Sequence, residues 1–206
     1  MRLPSPAPPV NGSLEAAIAR RRTVREFAER AVSLEDVGRL LWAAQGVTGG
    51  AGERAAPSAG ARHPLSLTLL AGTVTGLAPG AYGYRPEDHR LEPRAAGDLR
   101  EALAEAAIGP QPWLAQAALT ILIAGDETGM RHHFADQPPP GLRGARYLHM
   151  EAGHATQNIY LQATALGLGA VLVGGFDDDA VIAVSATPSG HAPLGLLAVG
   201  HPADPR

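Results

Sequence analysis

Side chains that could hold an anion are concentrated near the start of the chain, in the segment RRRTVR (20–25). Guanidinium and hydroxyl groups are common phosphate donors in proteins, and arginine can bind through two parallel hydrogen bonds. Arginines at the end of a helix also form solvated cationic surfaces that complement the helix dipole. The segment therefore predicts either a phosphate site or an exposed basic face, and the residues alone leave both open.

Two consecutive glycines, Gly174 and Gly175, directly follow an apolar run that is typical of a buried strand. They could simply form a turn. Because glycine has no Cβ, they could also let backbone N–H groups approach a flat cofactor ring that a side chain would obstruct. The pair predicts a turn or a cofactor contact.

The chain has eight histidines, but their spacing argues against a metal site. His149 and His154 are five residues apart, so on a helix they diverge by about 140° instead of sharing a face. His132 and His133 are adjacent and cannot share one helix face either. We therefore predict no metal ligands.

Two other motifs favour ordinary structural roles. Gly167-Leu168-Gly169 follows a helical pattern and precedes a strand, whereas a dinucleotide fingerprint lies between a strand and the next helix. It indicates a helix C-cap. Ser58 lies in Pro-Ser-Ala-Gly and not in the Gly-x-Ser-x-Gly of a nucleophile elbow, so the elbow is not supported, while a Ser/His/Asp hydrolase stays open as an alternative.

The composition excludes further chemistry. The chain contains no cysteine, which excludes disulfides, thiol nucleophiles and cysteine-bound metals. All 17 of its basic residues are arginine, so a lysine Schiff base and a P-loop lysine are excluded as well. The net charge of −3 lacks the basic surplus of a nucleic-acid binder. With no signal peptide and no membrane-length apolar run, we expect a soluble, cytoplasmic protein that binds neither nucleic acid nor membrane.

The elements that would position these residues alternate irregularly, which predicts an α+β fold with a central sheet covered by helices. Helices are predicted after Ser13, Ser33 and Asp177 and over 98–108 and 146–166; strands are predicted over 65–71, 81–84, 89–93, 118–125, 170–175 and 193–200. Segments 47–64 and 126–144 have no clear periodicity and are expected to be irregular. Residues 1–12 are expected to be a flexible tail that precedes a single domain over 13–206.

Three of these segments together resemble the FMN-dependent nitroreductase family. They are RRRTVREF (20–27), APSAGARHPLSL (56–67) and YLHMEAGHATQNIYLQATALGLGAVLVGGFDD (147–178). Their order and intervals are similar to the family from residue 14 onward. The resemblance implies a nitroreductase-like fold with a central, mostly antiparallel sheet flanked by helices, in a homodimer that binds two FMN molecules at its interface.

The same resemblance assigns residues to the cofactor. Arg21, Thr23 and Arg25 would hold the phosphate and ribityl chain, with Arg22 beside them; Arg206 is the one basic residue available after the last strand as a further phosphate contact. Pro57, Ser58, Ala59 and Gly60 would line the flavin from the partner subunit. Leu172, Val173, Gly174 and Gly175 would run beside the isoalloxazine, with a backbone N–H of the glycines facing N5. No side chain is assigned a catalytic role.

Within the family, the chain is most similar to the SagB-like dehydrogenase branch, whose members oxidise azolines on modified peptides. The matching segments are LLWAAQGVTG (40–49), PSAGARHPL (57–65), GAYGY (80–84) and MEAGHATQN (150–158). That branch carries a Lys-Tyr pair ahead of the long helix, whereas this chain has no lysine and reads MRHHFADQPPPGLRGARY (130–147) there. The difference favours general flavin redox chemistry over azoline oxidation.

The expected function is hydride transfer between NAD(P)H or an organic substrate and an acceptor such as a nitroaromatic or a quinone. The alternatives are a SagB-like dehydrogenase of a peptide or natural product, and a protein that binds flavin without turning it over. The homodimer is expected to form largely on the long helix, where small residues would allow close approach: Ala152, Gly153, Ala155 and Ala163. The alternative for that helix is an ordinary buried core element.

Overall fold

The computed structural model describes residues 12–204, which form eight strands and seven α-helices. The strands are β1 (Val32–Ser33), β2 (Leu65–Ala71), β3 (Val74–Thr75), β4 (Gly80–Arg85), β5 (Arg90–Ala96), β6 (Leu119–Gly125), β7 (Gly169–Val173) and β8 (Ala192–Gly200). Six of them form one sheet in the order β5-β4-β2-β6-β8-β7, with every neighbouring pair antiparallel. The expected central antiparallel sheet is confirmed, and β7 lies at one of its edges.

Helices cover both faces of the sheet. They are α1 (Leu14–Arg20), α2 (Leu34–Gln45), α3 (Arg100–Glu105), α4 (Trp113–Gln116), α5 (Glu127–His133), α6 (Arg143–Ala165) and α7 (Asp178–Ser185). One core packs α2 and α6 against the sheet, and the other packs α3, α4 and α7 against its opposite face. The central strands β2 and β6 are therefore buried on both sides, which explains their continuous apolar sequences. The expected α+β architecture is confirmed.

Three helix starts were predicted correctly because their caps are local. The side chains of Ser13, Ser33 and Asp177 each accept a hydrogen bond from the backbone N–H three residues later. The predicted C-cap is confirmed too: Gly167 has a left-handed φ of 72°, and the next N–H donates to the carbonyl of Ala163 at 2.8 Å.

The segment 126–144 is not wholly irregular, and this prediction was wrong. The carboxylate of Asp126 accepts from the N–H of Gly129 at 2.7 Å and begins α5, whose Met130 is buried in the core. The long helix α6 also begins earlier than expected, at Arg143. A proline-rich stretch separates the two helices. The helix before it, α5, has only seven residues, which are too few to show a clear helical periodicity.

Two predicted elements end earlier in the structure than the sequence indicated. The helix expected over 98–108 ends at Glu105, and the strand expected over 170–175 ends at Val173. The short helix α4 and the parallel pair β1–β3 were not predicted. Elements of two to four residues carry too few side chains to show a periodicity.

The two sides of α6 differ in a way that corrects the expected dimer contact. Ala155 and Ala163 are completely buried in the core and Ala152 nearly so, while Gly153 lies on the exposed side. Three of the four small residues therefore pack inside the protomer, as in the alternative of a core helix. Within residues 12–204, no helix is both long enough and apolar enough to cross a bilayer.

Candidate functional site

The arginine segment runs along the outer edge of β7. Thr23 forms a parallel bridge with Ala170, and the N–H of Val24 donates to the Ala170 carbonyl at 3.0 Å. A Cβ on Gly169 would lie 2.6 Å from the Cβ of Val24, so glycine is needed there for the close approach. The structure thus places residues 21–25 beside the strand that leads to Gly174 and Gly175. We call residues 21–25 and 172–175 the β7 region.

Two aromatic side chains hold the arginines of the β7 region, and the sequence analysis missed both. The guanidinium of Arg21 lies over the ring of Tyr160, 5.5 Å from its centroid, and the Tyr160 hydroxyl accepts the N–H of Leu172 at 2.7 Å. The guanidinium of Arg25 lies 5.4 Å from the ring centroid of Trp113. Such cation–π contacts stabilise by about 0.5–1 kcal/mol at exposed sites. They hold the two cations beside β7 without neutralising them.

No carboxylate of residues 12–204 pairs with the arginines of the β7 region. The ion pairs within residues 12–204 are formed by arginines outside the β7 region: Arg39, Arg54, Arg85, Arg90, Arg100 and Arg131. Arg22, Thr23 and Arg25 line a cleft of about 680 Å³ beside the end of α6. Arg22 also donates to the carbonyls of Ala19 and Arg21, so it satisfies the end of α1. The remaining cations can hold an anion.

Gly174 and Gly175 border open space. A Cβ on Gly174 would meet no heavy atom of the described chain within 4 Å, and a Cβ on Gly175 would lie 3.7 Å from the Cβ of Ile108. Neither glycine is among the residues with a left-handed φ, so the backbone conformation does not require glycine. Their N–H groups have no acceptor within residues 12–204, while the Gly175 carbonyl accepts from Ile108 at 2.9 Å. Glycine at these positions keeps two free donors accessible.

Ile108 is a further residue that the sequence analysis missed. Its backbone is bound to Gly175, yet its side chain is 69% exposed. A large apolar side chain held at this place forms part of the wall beside the free N–H groups. No local pattern could have indicated it, because the contact depends on the loop between α3 and α4 reaching the end of β7.

The second predicted group lies in a strained loop, residues 56–63. The Ser58 hydroxyl accepts from the N–H of His63 at 2.8 Å, and Ala59–Ala61 form one 3₁₀ turn. Gly60, Ala61 and His63 have left-handed φ values of 60°, 51° and 47°. For residues other than glycine this conformation costs on the order of 1–3 kcal/mol each, and such strain concentrates at functional sites. Pro57 and Gly60 are exposed, so the loop presents them to whatever covers it.

A buried carboxyl group lies under the 56–63 loop. Glu151 on α6 is 2% exposed, and burial raises the pKa of its carboxyl group despite the nearby Ser58 hydroxyl, Arg54 and Ala59 backbone. Its two oxygens have no hydrogen-bond partner within residues 12–204. Burial, reinforced by Arg54, also lowers the pKa of His63 in this loop.

The structure does not bring the two predicted groups together within one protomer. The β7 region contacts α6 at Tyr160, and the 56–63 loop lies near α6 at Glu151. Helix geometry separates these positions by about 14 Å along the axis and about half a turn around it. Arg206, the remaining predicted contact, lies outside the described residues, as do residues 1–11 of the expected tail.

A cavity larger than the cleft beside α6 lies elsewhere, between α2 and the β4–β5 hairpin. It measures about 990 Å³ and is lined by Trp42, Leu91 and a hydrogen-bonded pair in which Tyr84 Oη and His89 Nδ1 are 2.8 Å apart. Burial raises the pKa of Tyr84 to about 12. None of the predicted site residues lines it. Size alone therefore does not identify the functional site.

Comparisons with known proteins agree with this fold. The model of the nitroreductase family matches residues 18–201. A candidate nitroreductase of Methanocaldococcus jannaschii is 38% identical over 168 residues, which cover 82% of this chain and 81% of that protein. The crystal structure of a candidate nitroreductase from Ralstonia eutropha has a TM-score of 0.77 and 26% identity, covering 98% of this chain and 89% of that one.

A chain of the Escherichia coli microcin synthetase McbBCD complex has a TM-score of 0.73 and 23% identity, covering 99% of this chain and 78% of that one. At that identity the likeness shows the fold alone. The family match spans most of the described residues, and the relative from Methanocaldococcus is similar over most of both chains. This chain therefore belongs to the nitroreductase family, a family of oxidoreductases.

Proposed function

We propose that this protein is an FMN-dependent oxidoreductase whose cofactor lies along the β7 region. When bound, FMN would supply hydride transfer through N5, which needs no acid–base pair of side chains from the protein. The chain would provide binding, orientation and exclusion of water. The observation that carries the proposal is the glycine pair Gly174 and Gly175: their N–H groups have no acceptor within residues 12–204, the space a Cβ would occupy is open, and the backbone does not require glycine.

The charges of the β7 region fit the other end of such a cofactor. Arg21 and Arg25 are held over aromatic rings and have no carboxylate partner, and Thr23 is exposed between them. A phosphate would find two cations and a hydroxyl there, with Arg22 beside them. Leu172 and Val173 would lie along the ring system, ahead of the two glycines.

The 56–63 loop would complete the site from a second copy of the chain, in a homodimer. Within one protomer the loop and the β7 region lie on opposite sides of α6, so Pro57, Ser58, Ala59 and Gly60 need another protomer to reach the cofactor. A surface suited to such an interface exists: a Cβ on Gly153 would meet no atom of the described chain within 4 Å. Large apolar side chains are also exposed on α1, α2 and α6, namely Leu14, Ile18, Trp42 and Met150.

NAD(P)H or an organic substrate would reduce the flavin, and a nitroaromatic, quinone or similar flat molecule would accept the electrons. The SagB-like alternative, oxidation of a peptide or natural product, is supported by the four matching segments, and the chain shares its fold with a protein of the microcin synthetase complex. The absence of lysine favours the reduction of a nitroaromatic, quinone or similar molecule over azoline oxidation. The remaining alternative is a protein that binds flavin without catalysing a reaction.

The deciding experiment uses the purified full-length protein. We expect it to be yellow with non-covalent FMN and to lose its flavin absorption on anaerobic mixing with NADH or NADPH. Flavin that is reduced only by dithionite would favour a dehydrogenase that takes hydride from its own substrate, or the non-catalytic reading. Colourless protein that takes up no added FMN would overturn the proposal.

A further inference from the structure

One side chain of α6 holds the segment that leads into the 56–63 loop. Nδ2 of Asn158 donates to the carbonyl oxygen of Ala43 at 3.0 Å and to that of Ala55 at 3.3 Å. Both partners are acceptors only, so the amide presents its NH₂ group to them and uses both of its hydrogens. Asn158 is half-buried, and its partners are 115 and 103 positions away along the chain. The contact is therefore a link between distant segments.

The two carbonyl groups belong to segments that otherwise end or turn at this place. Ala43 lies in the last turn of α2, so its carbonyl is one of the four that have no partner within the helix. Ala55 comes directly before the 56–63 loop, and its own N–H donates to the Gly46 carbonyl at 2.9 Å. The amide of Asn158 thus joins α6, the end of α2 and the start of the loop.

The bonds inside the 56–63 loop do not fix its place on α6. The N–H groups of Ala61 and Arg62 donate to the carbonyls of Ser58 and Ala59 at 3.1 and 3.3 Å, and the N–H of His63 donates to the Ser58 hydroxyl at 2.8 Å. These bonds close the loop on itself. Two of its three left-handed residues are not glycine, so local preference does not maintain the shape either. An anchor from another element is needed.

We propose that Asn158 is a positioning residue of the cofactor site: its amide fixes Ala55 against α6 and α2 and so sets where the 56–63 loop begins. The inference rests on the proposed function, in which that loop meets the cofactor held by the other protomer. Asn158 lies two residues before Tyr160, which supports the β7 region of its own protomer. Positions two apart lie about 200° apart around a helix. One turn of α6 would therefore hold the β7 region of one flavin site and the loop of the other.

The test compares Asn158→Leu, which removes both donors at similar volume, with the matched control Thr156→Val. Thr156 is buried on the same helix, and its hydroxyl donates to Ala152 O at 2.7 Å, a bond within α6. Asn158→Asp keeps the shape of the side chain but places an oxygen where the donor was, so it serves if the leucine variant does not fold. Hydrogen exchange of the bonded amides over 55–63 is measured on the full chain without FMN.

We expect exchange of these amides to rise about tenfold in Asn158→Leu and in Asn158→Asp, because two hydrogen bonds that hold the segment are lost. The amides of β6 should exchange as in the unsubstituted protein, and Thr156→Val should leave the loop unchanged. Exchange over 55–63 equal to that of Thr156→Val would overturn the inference. This measurement needs no flavin, so it decides the inference even if the protein takes up no FMN and the proposed function fails.

FMN binding by a mixed dimer separates positioning of the loop from a local disturbance of α6. We expect Asn158→Leu alone to weaken FMN binding about tenfold. In the mixed dimer, one chain carries Asn158→Leu and the other Arg21→Ala. If Asn158 acts through the loop, both weakened parts fall in the same site, and the other site keeps full affinity. If it acts through Tyr160 on its own β7 region, both sites are weakened.

A mixed dimer of Arg21→Ala and Gly60→Val chains is the reference, because Gly60→Val alters the loop directly. A full-affinity site in the reference and none in the Asn158→Leu dimer would overturn the inference. The absence of a full-affinity site from both dimers would instead overturn the shared site of the proposed function, and the exchange measurement would then decide the role of Asn158.

Discussion

The β7 region and the 56–63 loop carry the two halves of the predicted site, and their backbones are held in opposite ways. The β7 region has no left-handed residue, and within residues 12–204 it leaves Arg21 and Arg25 without a carboxylate partner and the N–H groups of Gly174 and Gly175 without an acceptor. The 56–63 loop has three left-handed residues and lies over a buried carboxyl group. In the first region, we therefore attribute the residue types to the proposed ligand. In the second, they reflect the shape of the backbone.

Substitution at Gly174 tests the first half of this comparison and has the largest expected effect. Gly174→Val should abolish measurable FMN binding, because the side chain would fill the space beside the free N–H groups. The free energy of unfolding should change by no more than about 0.5 kcal/mol, since the added Cβ meets nothing in the protomer. Flavin fluorescence titration and thermal denaturation measure the two quantities.

Gly50→Val is the control, because Gly50 also has open space at its Cβ and no left-handed φ. It should leave FMN binding unchanged. Unchanged binding in Gly174→Val would return the glycine pair to the interpretation as a turn.

Arg21→Ala tests whether the cations of the β7 region are there for an anion. Losing one charge-assisted contact should weaken FMN binding by about 10- to 150-fold, or about 1.5–3 kcal/mol. Arg39→Ala is the control, because that arginine is exposed on α2 and pairs with Glu35 on the same helix. A dissociation constant that stays the same in Arg21→Ala would favour the solvated basic face.

Mixed dimers test whether the two regions meet only between protomers. Arg21→Ala and Gly60→Val chains are co-expressed with different tags, and the mixed species is purified. If each site combines the β7 region of one protomer with the loop of the other, one site keeps both parts intact. We expect about half the FMN stoichiometry of the unsubstituted dimer at full affinity. Two equally weakened sites would show that both halves come from one protomer.

The smallest expected effect concerns pH and the carboxyl group under the loop. Burial raises the folded-state pKa of Glu151 above the ordinary value of a glutamate, against the opposing influences of Ser58, Arg54 and Ala59. A raised folded-state pKa contributes stability below the unfolded pKa, and this contribution is lost as pH rises through the folded value. The protein should therefore lose stability relative to Glu151→Gln as pH rises above the ordinary range of a glutamate carboxyl group, and the difference in Tm between the two proteins measures this loss. A difference that is constant with pH would contradict this.

Much of the fold was predictable because its signals are local. The apolar runs of β2, β6 and β8 were placed to within one residue of their observed bounds, and the caps at Ser13, Ser33 and Asp177 began the helices expected. The helix α5 was missed although Asp126 caps it, since the prolines that follow concealed its short apolar pattern. Local signals fail where an element is too short to repeat.

The sequence by itself determined which residue types are available and which family the chain resembles: an arginine cluster, a glycine pair, no lysine and no cysteine. The tertiary structure alone decided what these residues face. Tyr160 under Arg21, Trp113 under Arg25 and Glu151 under the 56–63 loop are partners separated by 88 or more positions along the chain. A cap or an apolar run acts within a few residues, so it can be seen in the sequence. A contact across the fold exists only once the sheet and α6 have packed, because packing is what brings distant segments within reach of each other.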